Sequence, residues 1–277
     1  MERIGSLGEL KAIELGIMKE IDSFCGRNGL RYYLTFGTLL GCIRHRGFIP
    51  WDDDIDIAMP RADYDRFLST FSSGFCRVKQ LGDPHYSYPF AKIYDARTRL
   101  VENTLTQDDI GVYIDLFPLD GLPEDKASQL RLCKKVRFWK QMLRHKFSPW
   151  KRRRGWAKQL LLPLAKLMLA PFSYHSICRR IDRMCRQYDY DSSPCFSCLA
   201  WGYDFRFGEK AWMDPAGTGV FEGVRFRIPR DSDSVLRLFY GDYMQLPPEE
   251  SRCSNHDFEA FWIAPHEGHA GKAPNGL

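Results

Sequence analysis

The chain has 277 residues, of which 44% are hydrophobic and 14% aromatic, and its net charge is +5. This composition supplies enough apolar surface for a full-sized core and argues against a disordered chain. The length predicts one large α/β domain, or a catalytic domain with a helical appendage. Nine cysteines, an odd number, are scattered along a chain too long to need disulfide bonds, so we expect reduced thiols.

The first predicted elements are a helix and a short strand. Ser6 and Glu9 have the spacing of a capping box, and apolar residues follow at helical intervals up to Gly26, which predicts an amphipathic helix over about 7–27. The aromatic and β-branched run 32–36 predicts a strand.

The segment GTLLGCIRHRGFIPWDDDIDI, residues 37–57, is the most unusual part of the chain. Residues 54–59 alternate with period two, which predicts a strand that begins with carboxylates. Asp52, Asp54 and Asp56 would then share one face. Because carboxylates this close repel one another, they need a compensating cation, and hard divalent ions such as Mg²⁺ or Mn²⁺ prefer oxygen ligands.

The triplet Ile114-Asp115-Leu116 repeats this pattern on another predicted strand. On an adjacent strand, Asp115 would complete a three-carboxylate cluster, and metal ions held this way bridge phosphate oxygens and activate an attacking hydroxyl. Gly37 and Thr38 precede a helix that we expect to begin at Leu39, where free backbone amides favour a phosphate. The ordered set predicts metal-dependent chemistry on a phosphate. Chance occurrence on an acidic sheet edge is the alternative.

The middle of the chain is strongly basic. Residues 126–181 contain 16 Lys and Arg and no Asp or Glu. Together with interleaved tryptophans, this block indicates an anionic partner: lipid headgroups, a phosphate-rich glycan or, least favoured, nucleic acid. A solvated helix face is the alternative. Cys195 and Cys198 form one CxxC pair, for which buried free thiols are favoured over a zinc site.

The order of predicted elements favours a mixed α/β (α+β) sheet with a helical extension, which we expect over residues 126–190 with breaks near Pro149 and Pro163. The opening segment lacks the apolar core of a secretory signal, and no stretch is apolar enough to span a bilayer. We therefore expect a cytoplasmic protein, with peripheral contact to the inner face of an anionic membrane through residues 126–181.

Three segments carry a resemblance to a known family. They are YYLTFGTLLGCIRHRGFIPWDDDIDIAMPRADYDRF, GVYIDLFPLDGLP, and FEGVRFRIPRDSDSVLRLFYGDYMQLPPEE with His256 after it. These segments resemble the LicD family, whose eukaryotic relatives include fukutin and fukutin-related protein. The resemblance implies a nucleotidyltransferase-like fold and transfer of phosphocholine, or another phospho-alcohol, from CDP-choline or another CDP-alcohol. The implied acceptor is a sugar hydroxyl of a cell-surface glycan, such as lipopolysaccharide or teichoic acid, and it can be lipid-linked.

The resemblance also assigns roles by position. Asp54 and Asp56 look like the catalytic metal-binding pair for Mg²⁺ or Mn²⁺, with Asp52 as an additional ligand. Asp115 looks like the third catalytic carboxylate, which also binds metal and assists deprotonation of the acceptor hydroxyl.

Other residues are expected to bind the donor. Gly37 and Thr38 would contact its phosphates, and Arg44 and Lys92 are candidates to neutralise phosphate charge. For Arg44, a salt bridge within the fold is an equally favoured alternative. For Trp51, core packing is favoured over contact with the nucleotide.

We expect three regions: a nucleotidyltransferase-like catalytic core over 1–125, a basic helical insertion over 126–190, and a C-terminal part over 191–277 that packs on the core and shapes the donor or acceptor pocket. An aromatic cage for a quaternary ammonium is one hypothesis for this last part. Its candidate members are Trp201, Tyr203, Phe205 and Trp212.

Two other functions are compatible with the residues. A nucleotidyltransferase that moves a nucleotide from an NTP to a small molecule, protein or RNA would use the same carboxylates but release pyrophosphate. A non-enzymatic membrane- or polyanion-binding module would tolerate replacement of Asp54 and Asp56, and the complete acidic set argues against it.

Overall fold

The computed structural model describes residues 1–102, 110–147, 172–200, 205–252 and 258–263. The described residues form six α-helices: α1 (Leu7–Asn28), α2 (Phe36–Arg44), α3 (Arg61–Thr70), α4 (Lys126–Phe147), α5 (Tyr174–Cys185) and α6 (Ser232–Tyr240). They also form twelve β-strands: β1 (Glu2–Arg3), β2 (Tyr33–Leu34), β3 (Asp56–Pro60), β4 (Cys76–Lys79), β5 (Ala91–Asp95), β6 (Thr98–Glu102), β7 (Tyr113–Leu122), β8 (Cys195–Ser197), β9 (Gly208–Glu209), β10 (Gly217–Phe221), β11 (Val224–Ile228) and β12 (Phe258–Trp262).

The largest sheet is mixed. Its main strands follow the order β2-β3-β7-β5-β4, while β8 pairs with β7 and β9 with β8. Strands β3 and β7 are parallel, whereas the neighbouring pairs are antiparallel. A second sheet contains β1, β12 and β6, and β10 and β11 form a hairpin. The predicted mixed α+β architecture is confirmed.

Helix α1 agrees with the prediction to within a residue at its end. The Ser6 hydroxyl accepts a hydrogen bond from the Glu9 amide at 3.1 Å, and the Glu9 carboxylate accepts one from the Gly5 amide at 3.1 Å. These contacts satisfy amide donors that the first turn leaves unpaired. The helix ends at Gly29, whose φ of 62° is a left-handed cap that glycine adopts without strain.

The chain passes from strand to helix earlier than the sequence predicts. Strand β2 has only two residues, and α2 begins at Phe36 rather than at Leu39. Phe36 makes the turn with a φ of 44°, a costly conformation for an aromatic residue. Its buried ring packs edge-on against Phe117 and Phe239, and this packing stabilises the turn.

Strand β3 begins at Asp56 rather than at Asp54. The Thr35 amide donates to the Asp56 carbonyl at 3.1 Å, and the chain then turns away from the sheet at Phe36. The ladder between β2 and β3 pairs Tyr33 with Ala58 and Leu34 with Ile57. Burial still alternates through residues 53–57, so the predicted period of two continues outside the ladder.

Two hydrophobic clusters hold these elements together. The larger one packs α1, α2, α3 and α6 against the mixed sheet. The second lies between α4 and α5, together with the end of β7 and residues after β8. The predicted division into 1–125, 126–190 and 191–277 stays a prediction, and the predicted breaks near Pro149 and Pro163 lie outside the described residues. Within those residues, no helix combines the length and apolar character needed to cross a membrane.

Candidate active site

The predicted carboxylates come together where β3 and β7 begin. Asp56 and Asp115 are direct neighbours in the parallel ladder, so their side chains leave the same face of the sheet. Asp52 and Asp54 lie in the loop that enters β3. Burial and the charges of Asp54, Asp115 and Asp52 raise the pKa of Asp56 well above its ordinary value. The charges of the other three carboxylates therefore all act on Asp56.

Lys92 supplies positive charge to this cluster. It is paired with Asp115 in the antiparallel β5–β7 ladder, and its Nζ lies 2.7 Å from Asp115 Oδ1. The lysine side chain is only 8% exposed, and its ammonium also lies 3.4 Å from the centre of the Tyr113 ring. The ammonium thus holds Asp115 in place, and it lowers the pKa of Asp56, although less than the carboxylates raise it.

Gly37 and Thr38 lie in the first turn of α2, against the carboxylate loop. A Cβ atom on Gly37 would lie 2.6 Å from Asp52 Oδ2, so only glycine lets the backbone approach this side chain so closely. The Thr38 hydroxyl is buried and accepts a hydrogen bond from the Asp56 amide at 2.7 Å. Thr38 therefore fixes the start of β3, and contact of these two residues with a phosphate stays a prediction.

Arg44 connects α2 to the C-terminal part of the chain. Its Nη1 donates to the Tyr243 carbonyl at 2.7 Å, and burial lowers its pKa. This contact is a hydrogen bond to the backbone rather than the salt bridge that the sequence left open. Trp51 is partly buried against the larger hydrophobic cluster, with the Arg252 guanidinium 5.6 Å from the centre of its ring.

Glu14 is a site residue that sequence reasoning missed. It lies on the buried side of α1 with only 2% of its surface exposed, and its Oε2 has no hydrogen-bond partner among the described residues. Burial and the charges of Asp54, Asp53 and Asp52 raise its pKa well above the ordinary value. The signal was present in the sequence: Glu14 follows Leu10 by four residues, so it belongs to the apolar stripe of the helix.

The donor set suits a hard divalent cation. Asp52, Asp54, Asp56 and Asp115 offer oxygen atoms, which hard divalent ions prefer as ligands, and a bound cation would relieve the repulsion that raises the pKa of Asp56. In the described ranges, no three His, Cys, Asp or Glu side chains are already spaced to enclose an ion. An ion bound here would draw the carboxylates together rather than enter a closed cage.

The remaining candidates lie apart from this cluster. Phe205 and Trp212 pack against different hydrophobic clusters, which gives no support to one aromatic cage that contains both. The other proposed members, Trp201 and Tyr203, lie outside the described residues. Neither Cys195 nor Cys198 forms a disulfide with a described residue, and Cys198 is buried as favoured from the sequence, whereas Cys195 is half-buried.

Comparisons with known proteins agree with this geometry. The family model described as LicD/FKTN/FKRP, nucleotidyltransferase domain, matches residues 29–175, which include all four carboxylates. A relative from Haemophilus influenzae, named lipopolysaccharide cholinephosphotransferase LicD, is 30% identical over 267 residues, covering 92% of this chain and 98% of that protein. An uncharacterised protein of Rickettsia typhi is 37% identical over 89 residues, covering 32% of this chain and 26% of its own length. The predicted relationship to a family of transferases is confirmed: the chain belongs to the LicD family.

Proposed function

We propose that this protein transfers phosphocholine from CDP-choline to a sugar hydroxyl of lipopolysaccharide. The observation that carries the proposal is the pairing of Asp56 with Asp115 within a four-carboxylate cluster, in a chain that matches nearly the whole length of a lipopolysaccharide cholinephosphotransferase. In this reaction the hydroxyl oxygen bonds to the phosphorus that carries choline. The bond from that phosphorus to the oxygen of CMP breaks, and CMP leaves with the electron pair.

Asp54, Asp56 and Asp115 would hold Mg²⁺ or Mn²⁺, with Asp52 as an additional ligand, and the bound ion would neutralise the phosphate charge of the donor. Asp115 would accept the proton of the acceptor hydroxyl. Lys92 orients Asp115 through its 2.7 Å contact. Thr38 fixes the Asp56 backbone, and Gly37 lets the backbone of α2 approach the Asp52 carboxylate closely.

Nucleotidyl transfer is the second candidate, because the description of the matching family model names a nucleotidyltransferase domain. The same cluster would serve this reaction. The leaving group separates the two, since a nucleotide transferred from an NTP releases pyrophosphate and a phospho-alcohol transferred from a CDP-alcohol releases CMP.

The test is a product assay with purified protein, lipopolysaccharide lacking phosphocholine, and Mg²⁺ or Mn²⁺. CDP-choline, CDP-ribitol and each NTP are supplied separately, and CMP and pyrophosphate are quantified by chromatography. CMP release from CDP-choline that requires both metal and acceptor supports the proposal. Release of CMP from CDP-ribitol alone would change the assigned alcohol. Pyrophosphate from an NTP, with no CMP from either CDP-alcohol, would replace the proposal by nucleotidyl transfer.

A further inference from the structure

A groove on the outer side of the second hydrophobic cluster has no role in the proposed transfer reaction. It lies between α4 and α5 and has a volume of about 670 Å³. The basic and aromatic residues that line this groove are Lys134, Lys135, Phe138, Trp139, Arg180 and Arg183. Because α4 and α5 are joined by buried apolar residues beneath it, the groove is presented on a rigid support.

The groove has an unbalanced positive charge. Lys134, Lys135, Arg180 and Arg183 are exposed, and none of them forms an ion pair with another described residue. Arg186, just beyond the end of α5, differs because it pairs with Asp65 and Asp182. Cations without carboxylate partners favour an anionic ligand, and three of the four lie within residues 126–181, which contain no Asp or Glu.

Aromatic side chains lie among these cations. Phe138 is 52% exposed, although most large apolar side chains of the described residues are buried. Its ring contacts the partly buried Trp139 at 5.5 Å between centroids, and the Arg180 guanidinium lies 4.5 Å from the centre of the Trp139 ring. An exposed phenyl ring surrounded by Lys and Arg is typical of surfaces that insert between lipid headgroups.

We propose that the α4–α5 groove docks this protein on a bilayer that contains anionic phospholipids. Phe138 enters the headgroup region, and the four cations contact lipid phosphates. The exposed phenyl ring favours a bilayer over nucleic acid, because the transfer of an apolar ring from water to the acyl boundary is favourable in free energy. The binding does not depend on the proposed transfer reaction. Only the expected advantage of docking, which is access to a lipid-anchored acceptor, rests on the proposed transfer reaction.

The test is co-sedimentation of the full chain with phosphatidylcholine vesicles, with and without phosphatidylglycerol, in the absence of donor nucleotide. The wild-type protein is expected to bind only the anionic vesicles and to be released by salt. The variant Lys134→Glu/Lys135→Glu/Arg183→Glu is expected to bind at least about a hundredfold more weakly, because three cations are lost and three carboxylates are added near an anionic surface. Phe138→Ser is expected to weaken binding while leaving the charge unchanged.

The matched control is Lys19→Glu/Arg66→Glu/Arg225→Glu, which makes the same charge change at exposed positions on α1, α3 and β11. It is expected to bind nearly as the wild type does. Equal loss in both triple variants would overturn the groove proposal, as would failure of the wild type to bind phosphatidylglycerol vesicles. Salt-sensitive binding to an RNA or DNA duplex without vesicle binding would also overturn it. CMP release measured with soluble acceptor should be the same in all these variants, which separates failure of docking from failure of the transfer proposal.

Discussion

Asp56 is influenced by nearby charges of both signs. Its raised pKa reflects burial and three neighbouring carboxylates, with Lys92 as the compensating ammonium. We expect Asp56→Asn and Asp115→Asn each to lower CMP release by at least about a hundredfold, because a metal ligand or the proton acceptor is lost. Thermal melting of Asp56→Asn should not fall, since the substitution removes repulsion.

The control for this prediction is Asp65→Asn, which removes a carboxylate from an exposed ion pair on α3. It should retain activity. Asp56→Asn protein that folds and releases CMP at the wild-type rate would contradict the assignment of the site.

The ion pair between Lys92 and Asp115 is expected to stabilise the fold. Both side chains are largely shielded from water, so Lys92→Met leaves a carboxylate without its cation. We expect Lys92→Met to lower the free energy of unfolding by roughly 3–5 kcal/mol. The double variant Lys92→Met/Asp115→Asn should recover most of this loss while remaining inactive. Urea unfolding of Lys92→Met, Asp115→Asn and the double variant measures the coupling between the two side chains. A Lys92→Met protein as stable as the wild type would show that the pair does not support the fold.

Glu14 makes stability depend on pH. A carboxyl group whose pKa is raised by folding binds its proton more tightly in the folded state, so its favourable contribution is complete in acid and is lost as the pH rises through the folded-state pKa. Glu14→Gln stays neutral at every pH. We therefore expect it to match the wild type in acid and to be more stable at neutral pH by about 1–3 kcal/mol.

Thermal melting across pH, with a chelator present, measures this difference, and Glu20→Gln on the same helix is the control. A Glu14→Gln protein that is less stable than the wild type at neutral pH would mean that the charged carboxylate has a partner.

At the scale of elements, the periodicity of apolar residues was sufficient to predict a helix or strand where the segment has one buried face. It predicted α1 with its N-terminal capping box and the strand that carries Asp115. It failed at Phe36, where tertiary packing of the ring imposes a backbone turn that propensity disfavours. The pairing of Lys92 with Asp115 could not be predicted, because it depends on the register of two strands in the sheet.

One buried arginine bridges elements of the two hydrophobic clusters. Arg61 of α3 donates to Asp120 of β7 at 2.7 Å and to Asp182 of α5 at 3.0 Å, and Asp120 is fully buried. We expect Arg61→Met to lower the free energy of unfolding by roughly 3–5 kcal/mol, because a buried carboxylate loses its partner. Arg186→Met, which breaks exposed ion pairs with Asp65 and Asp182, should cost only about 0–1 kcal/mol. Similar losses in both variants, measured by urea unfolding, would contradict this account.

At the scale of the whole molecule, charge is divided between two surfaces. The acidic cluster lies on the mixed sheet, and the basic groove lies between α4 and α5. The sequence predicted both concentrations of charge. It could not predict that the cations of the groove would remain without ion pairs, because that depends on how α4 and α5 pack.

The proposed transfer of phosphocholine is tested by following choline label from CDP-choline into lipopolysaccharide. Wild-type protein, Asp56→Asn and the Asp65→Asn control are each incubated with labelled donor and acceptor, with Mg²⁺ or Mn²⁺ and then with a chelator. We expect metal-dependent incorporation by the wild type and the control, and none by Asp56→Asn. Incorporation by Asp56→Asn at the wild-type rate, or incorporation that persists in the chelator, would contradict the proposal.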